Sequence, residues 1–499
     1  MAEQHTATDA WRRERWIVLA IAVTLTLARS TIFVAWPASY FDSDQAIFGL
    51  MAKHLAELRA FPLFMYGQSY ILGVEAWMAA PLFALFGASA AALKMPLLVM
   101  NAAIVWLLLR TFERETGLRP LAAAAASLPF ILPAVAMAAV YVEPSGGNLE
   151  PYLYVLLIWI LRDRPIAAGV VFAIGFLQRE FTLYGLAALV AIEAIDRRLF
   201  TWTGLKTRAS MLGVSAAAWI AVQGLRRLSS GSGPGTSIDQ LHGASNNILE
   251  LVTRTCFSPA TAATGIGRLF SLHWPEMLGT APYPLSAFAI ESTGHQGMAG
   301  SSWLPATFAG ICIVGAAAGS LGSHAKIPRF PLYLVLVGLL SGAGYVFGRC
   351  GEINFFGMRY ELLSVLGIVG LAAWFLASRP PKVLLTAWGV ILAGWLAVLV
   401  VPHVRLAREY TTAAPTPAKV QLIGALESNG VRYGTSDYWI AYYVSFLTNE
   451  RIILASEDPN RLRTYSRIVD EHSGEAVRIL RRPCAGGVDL IRGVYRCPR

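Results

Sequence analysis

The chain has 499 residues, 55% of them hydrophobic and only 14% charged, with a formal net charge of +10. A soluble protein of this length carries about a quarter charged residues, so the composition excludes an ordinary soluble domain and calls for segments that cross a bilayer. The positive excess falls between the apolar segments, where orientation rules account for it, and marks no nucleic-acid partner.

The first apolar segment follows Arg12, Arg13 and Arg15 and is bracketed by Trp16 and Trp36. At about 1.5 Å per residue that span matches one hydrocarbon core of about 30 Å. No small-x-small cleavage site follows, so a retained signal anchor is expected. Arg29 within it is expected to snorkel or to pair inside the bundle, an anionic lipid being the other option. Beyond the segment stand Asp42, Ser43 and Asp44, and then an amphipathic run through Ile47, Leu50, Met51 and Leu55. An acidic residue before such a run is also the ordinary N-cap of a helix.

A cytoplasmic N-terminus places basic residues in every inner loop: Arg110, Arg114 and Arg119, then Arg162 and Arg164, then Arg197 to Arg208, then Lys326 and Arg329, then Arg379 and Lys382. This alternation holds only if the apolar stretch 71–87 lies on the outer side as a re-entrant or interfacial helix, and it gives about eleven spans. The expected architecture is a polytopic α-helical membrane domain over 1–402, with outer loops at 37–95 and 226–302. A small extracytoplasmic α/β domain is expected over 403–499. Arginine far outnumbers lysine, which suggests a GC-rich bacterial genome, and the expected location is a bacterial inner membrane.

Within the tail the pattern predicts a helix over 419–429, strands over 431–438 and 451–455, a helix over 461–472 and a last strand over 488–495. Cys484 and Cys497 fit a disulfide in an outer domain, Cys256 and Cys350 form a second candidate pair, and Cys312 sits inside a span as a packing residue. No cysteine or histidine spacing suggests zinc.

The chemistry-bearing groups cluster in the first outer loop. Asp42-Ser43-Asp44 has the Asp-x-Asp form, and Tyr66, Gln68 and Glu75 are polar groups in an apolar stretch, suited to sugar hydroxyls or to one another. Gln178, Arg179 and Glu180 lie at an outer span end, as do Arg349 and Arg359, with Arg226 and Arg227 in reserve. Glu143 and Glu150 flank a short outer loop and are expected to be solvated. His242, His273 and Trp274 are weaker signals, and Asp437 in the tail either meets an acceptor or caps a helix.

The order of these elements resembles a known family. The outer Asp44-Gln45-Ala46 helix start is followed by Pro62, Phe64, Tyr66, Gly67, Gln68, Tyr70, Gly73 and Glu75, and much later by Met358-Arg359-Tyr360-Glu361-Leu362-Leu363. Together they resemble the GT-C glycosyltransferase superfamily, in its bacterial branch related to glycosyltransferase family 39. That branch includes the protein mannosyltransferases and the lipid A aminoarabinose transferase. The tail run Tyr433-Gly434-Thr435-Ser436-Asp437-Tyr438-Trp439 resembles the outer domain of some members. Gln45 stands where the family has Glu, and the proline of its Arg-Tyr-Leu-Leu-Pro element is missing.

The resemblance implies transfer of a sugar from a polyprenyl-phosphate donor to a lipid, glycan or protein acceptor at the outer face. Asp44, at the family's essential position, is then the general base, and Asp42 shares the work. A phosphate leaving group departs as an anion and needs fixed positive charge, for which Arg179, Arg349 and Arg359 are candidates. No cofactor is expected, and the Asp-x-Asp form leaves a divalent metal open. A lipid-linked-glycan transporter or flippase is the competing function. It calls for inverted repeats and midplane charges, and the sequence has no clear repeat. A non-enzymatic assembly factor would not need the Asp-Gln-Ala and Tyr-Gly-Gln elements together.

Overall fold

The computed structural model describes residues 2–68, 71–225, 258–279, 302–323, 327–348 and 355–498. Among the described residues, five helices are long and apolar enough to cross a membrane. They are α1 (Ala2–Ala35), α4 (Ala90–Thr116), α13 (Trp303–Ser323), α14 (Arg329–Gly348) and α16, which begins at Lys382 and runs to Ala413. The protein is an integral membrane protein. Shorter apolar helices fill the bundle: α3 (Val74–Phe86), α5 (Pro120–Ile131), α7 (Glu150–Ile160), α8 (Pro165–Gln178), α9 (Thr182–Ile195) and α15 (Ser364–Ala377). A helix of this size reaches only about 20 Å, less than the hydrocarbon core, so the expected count of eleven spans stands as a proposal.

Proline sets several of these boundaries. Pro120, Pro151 and Pro165 occupy the first turns of α5, α7 and α8, where the missing N–H would have no partner anyway. Pro133 separates α5 from the short α6 (Val135–Val140). α10 (Trp202–Leu225) packs on α8, and α11 (Pro259–Arg268) leads through a π-turn into α12 (Trp274–Leu278).

Four of the five basic loops expected on one face are tied together by ion pairs. Arg15 pairs with Glu113 at 2.7 Å, Arg119 with Glu14 at 3.1 Å, Arg162 with Glu115 at 3.0 Å and Arg208 with Glu193 at 2.9 Å. Arg198 pairs with Asp163 and Arg329 with Asp196. These pairs join the start of α1, the end of α4 and the turns that enter α8, α10 and α14. Arg29 pairs inside the bundle, as one of its expected roles required. It donates to Asn101 Oδ1 at 2.7 Å, and its guanidinium lies over the Phe130 and Tyr141 rings.

The opposite end carries α2 (Ser43–Ala56), α3 and the C-terminal domain. That domain runs α17 (Ala418–Ser428), β1 (Tyr433–Ser436), α18 (Tyr438–Leu447), β2 (Ile453–Ser456), α19 (Arg463–Glu471), β3 (Val477–Leu480), β4 (Val488–Ile491) and β5 (Val494–Pro498). The sheet order is β2-β1-β3-β5-β4; β1 is parallel to β2 and β3, while β5 runs antiparallel to β3 and β4. The single last strand expected over 488–495 is a hairpin instead, because Gly493 takes φ 82° and turns the chain. Cys484 and Cys497 form a disulfide, and Cys312 is free and buried. Cys256 and Cys350 lie outside the described residues.

One apolar core joins α2 and α3 to this domain, with Phe41, Ile47, Phe48 and Phe83 packed among Leu422, Tyr442 and Phe446. A Cβ on Gly49 would sit 2.6 Å from the Phe446 ring, which is stacked against both Phe41 and Phe83 and has nowhere to move. The first loop and the tail, more than 300 residues apart in sequence, thus pack as one unit.

Candidate active site

The site begins at the N-terminus of α2. Asp42 is its cap: the backbone is extended, and Oδ1 accepts from the Gln45 amide at 2.9 Å. Gln45 Nε2 and Lys94 Nζ both donate to the Tyr40 carbonyl, at 3.1 and 2.8 Å, and tie down the chain just before the cap. Asp44 stands in the first turn with no capping bond, its side chain 17% exposed. Its Oδ1 accepts from the Tyr438 hydroxyl at 2.5 Å, and its Oδ2 lies 3.6 Å from Arg359 Nη1.

Arg359 is placed by a 3₁₀ turn over Phe355–Tyr360 that leads into α15. Its Nη2 donates to the Tyr360 hydroxyl at 3.2 Å, and Tyr360 packs edge-on against Phe181. Burial works against the guanidinium charge, but the Tyr360 and Asp44 oxygens more than offset it and hold the proton tighter than usual. Two residues on from Arg359, Glu361 is fully buried and meets His273 Nδ1 at 2.5 Å. That pair pins the turn to the segment between α11 and α12, which is the structural content of the weak His273 signal.

Two further groups crowd the acids. Glu143 is half-buried rather than solvated, and Lys94 is buried. Burial, and then the charge of Asp42, push the Glu143 carboxyl up to about 8 against the pull of Lys94 and Arg359. Burial also raises the Asp42 carboxyl; the charge of Asp44 adds to this, and the Gln45 amide, Lys419 and Lys94 oppose it. Sequence reasoning passed over Lys94 because one lysine near a helix start carries no pattern.

The other expected site residues fall elsewhere. Glu75 is buried, and its carboxyl accepts from the amides of Gly146 and Gly147 at 2.9 and 3.0 Å. Glu150, expected to be solvated, is fully buried beside it. Burial, then the charge of Glu150, raise the Glu75 carboxyl well above its ordinary value, while the Gly146 and Gly147 amides oppose this. Arg179 donates to the carbonyls of Gly146 and Ser145, and Gln178 Oε1 accepts from Tyr154 at 2.5 Å. These four residues frame the 145–150 loop, where Gly146 and Gly147 take φ of 87° and 103°. Glu180 is half-buried in the turn between α8 and α9.

Tyr66 and His54 Nδ1 share a hydrogen bond of 2.9 Å at the seam with the C-terminal domain. Gln68 is buried, its backbone amide closing a turn on the Met65 carbonyl at 2.9 Å. Asp437 caps α18 through the Trp439 amide and binds Arg481 at 2.9 Å. Arg349, Arg226, Arg227 and His242 lie outside the described residues. Among the described residues no group of three His, Cys, Asp or Glu side chains is arranged to hold a metal ion.

The assembled site is therefore a carboxylate flanked by a guanidinium and a phenol, with the capping Asp42 carboxyl and the raised Glu143 carboxyl nearby. Such a group can take a proton from a hydroxyl while the guanidinium faces an anion. No protein-family model and no curated protein matches the chain. Over 96% of its length the chain is similar to ArnT from Cupriavidus metallidurans bound to undecaprenyl phosphate, covering 96% of that chain at 12% identity and a TM-score of 0.43. It is also similar to the apo state of ArnT from the same organism, over 95% of this chain and 93% of that one, at 11% identity and a TM-score of 0.40.

Proposed function

We propose that the protein is a membrane glycosyltransferase that moves a sugar from a polyprenyl-phosphate-linked donor to an acceptor hydroxyl at the extracytoplasmic face of a bacterial inner membrane. The observation that carries this reading is the pairing of Asp44 with Arg359. Asp42 does the capping, so Asp44 is left as a carboxylate beside a cation at the end of an apolar bundle. The resemblance of both sequence elements to the family 39 branch points the same way.

Asp44 takes the acceptor proton as the hydroxyl oxygen attacks the anomeric carbon. The carbon–oxygen bond to the phosphate breaks, and the phosphate leaves with the electron pair. Arg359 faces the negative charge that develops there, and the desolvated site strengthens that interaction. One displacement with one base inverts the anomeric centre. Eleven crossings with the Asp44 end outside complete the reading.

The test is transfer by the purified protein from polyprenyl-phosphate hexoses and pentoses in liposomes. Release of polyprenyl phosphate with formation of a glycoside supports the reading. Translocation of the intact donor without transfer overturns it. Arg359→Ala should weaken donor binding by about 1.5–3 kcal/mol, the value of a charged hydrogen bond, and unchanged affinity removes Arg359 from the donor site.

A further inference from the structure

We propose that the C-terminal domain belongs to the active site, and that Tyr438, aimed by Arg461, is the positioning residue for the Asp44 carboxylate. This rests on the reading of Asp44 as the base.

The geometry is a chain of three groups. Arg461 Nε donates to the Tyr438 oxygen at 3.1 Å, and Tyr438 donates to Asp44 Oδ1 at 2.5 Å. Because the guanidinium occupies a lone pair of the phenol, the hydroxyl hydrogen is directed at Asp44. Arg359 stands against the other oxygen. The terminal torsion of an aspartate is soft and roughly two-fold. Donors on both oxygens fix the plane of the carboxylate and leave its remaining lone pairs in one direction. A phenol suits this task, since a neutral donor holds the anion at a smaller loss of basicity than a second cation would cause. Burial first, and then the charge of Asp44, raise the Tyr438 hydroxyl well above its ordinary value, so it stays a donor.

The aim of Arg461 is itself fixed from two sides. Its backbone amide donates to the Tyr442 hydroxyl at 2.6 Å. From the other side Gly67, at φ 69°, lies so close that a Cβ would sit 2.9 Å from the Arg461 Cα and 3.1 Å from its Cβ and Cγ. The Tyr-Gly-Gln element of the first loop thereby acquires a role: Gly67 lets the loop seat the arginine that aims the phenol at the carboxylate of the same loop.

The experiment has two readouts on the full-length protein in nanodiscs. The first needs no substrate: water-soluble carbodiimide labels protonated carboxyls, and mass spectrometry gives the pH at which Asp44 is half-modified. Tyr438→Phe, which keeps the ring, should raise that pH by about one unit, a tenfold change in proton affinity. Arg461→Gln should move it the same way and by less. The second readout is the pH profile and turnover of transfer from the polyprenyl-phosphate sugar that the unmodified protein uses. Here Tyr438→Phe should lower kcat on the order of 10²-fold, the cost of a reacting group misplaced by about 1 Å, with KM for the donor held. An unmodified protein that transfers nothing overturns the assignment of Asp44 as base, whatever the labelling shows. An unmodified protein that transfers, with Tyr438→Phe and Arg461→Gln leaving both readouts unchanged, overturns the role of Tyr438 alone.

Discussion

Asp42 gives one oxygen to the Gln45 amide, whereas neither oxygen of Asp44 is committed to its helix. Asparagine caps as well as aspartate, so Asp42→Asn should keep the fold and most of the transfer rate. Asp44→Asn should lower transfer by about 10²–10⁴-fold with donor binding nearly intact, the range usual for a lost general base. Single-turnover assays on both variants check this, and a reversed order would exchange their roles. Glu143 adds a pH effect. Its carboxyl is neutral below about 8 and anionic above, with Asp42, Asp44, Lys94 and Arg359 around it. The new charge opposes an anionic donor, so donor affinity should fall as pH rises through that value. A phosphodiester does not titrate there, so Glu143→Gln should flatten the curve in a binding titration. Asp44 and Arg359 were legible in sequence because each sits in a recognisable local element. Tyr438 was visible only as part of a motif, since nothing local says that position 438 meets position 44.

At the scale of elements, the seam between α2 and the C-terminal domain is latched by Glu450. It accepts from Lys53 and Arg59 at 2.5 Å each, from Tyr465 at 2.9 Å, and meets His54 Nε2 at 3.0 Å. Burial alone would raise this carboxyl, but the bonds from His54, Arg59 and Lys53 hold it far below the usual range. A depressed folded-state value means that the latch contributes fully above the ordinary glutamate range and is lost as pH falls below it. Protease sensitivity of the tail should therefore rise as the solution is acidified, and Glu450→Gln should show that sensitivity at neutral pH. Asn449 and Glu450 both take positive φ; asparagine tolerates this, whereas for Glu450 it is a costly conformation that the latch helps to maintain. The helices over 418–428 and 463–471 were readable from their periodicity, as were the strands near 433 and 453. α18 and β3 were not. α18 is apolar on nearly every face because it is buried between the sheet and α2, so it shows no amphipathic stripe.

For the whole molecule, the ion pairs that join the basic loops and the acidic site lie at opposite ends of the bundle. Single cysteines at Arg59 and Arg114, both exposed, should react with a membrane-impermeant maleimide from opposite sides, and labelling from one side would sink the arrangement. The helical, polytopic character was evident from composition, because apolar runs in a long chain have few other uses. The lengths of the individual helices were not, since breaks such as Pro133 and the 145–150 loop depend on what packs around them. The shared core of the first loop and the tail was equally hidden, being a contact between remote segments. It has a consequence for how the protein comes into being. The groups that touch the Asp44 carboxylate come from positions 359 and 438, so a ribosome working in order makes the acid first and its last direct neighbour 394 residues later. Throughout that interval a nascent chain carries the acid without its full setting, and the site is completed only when the later segment folds back onto the earlier one.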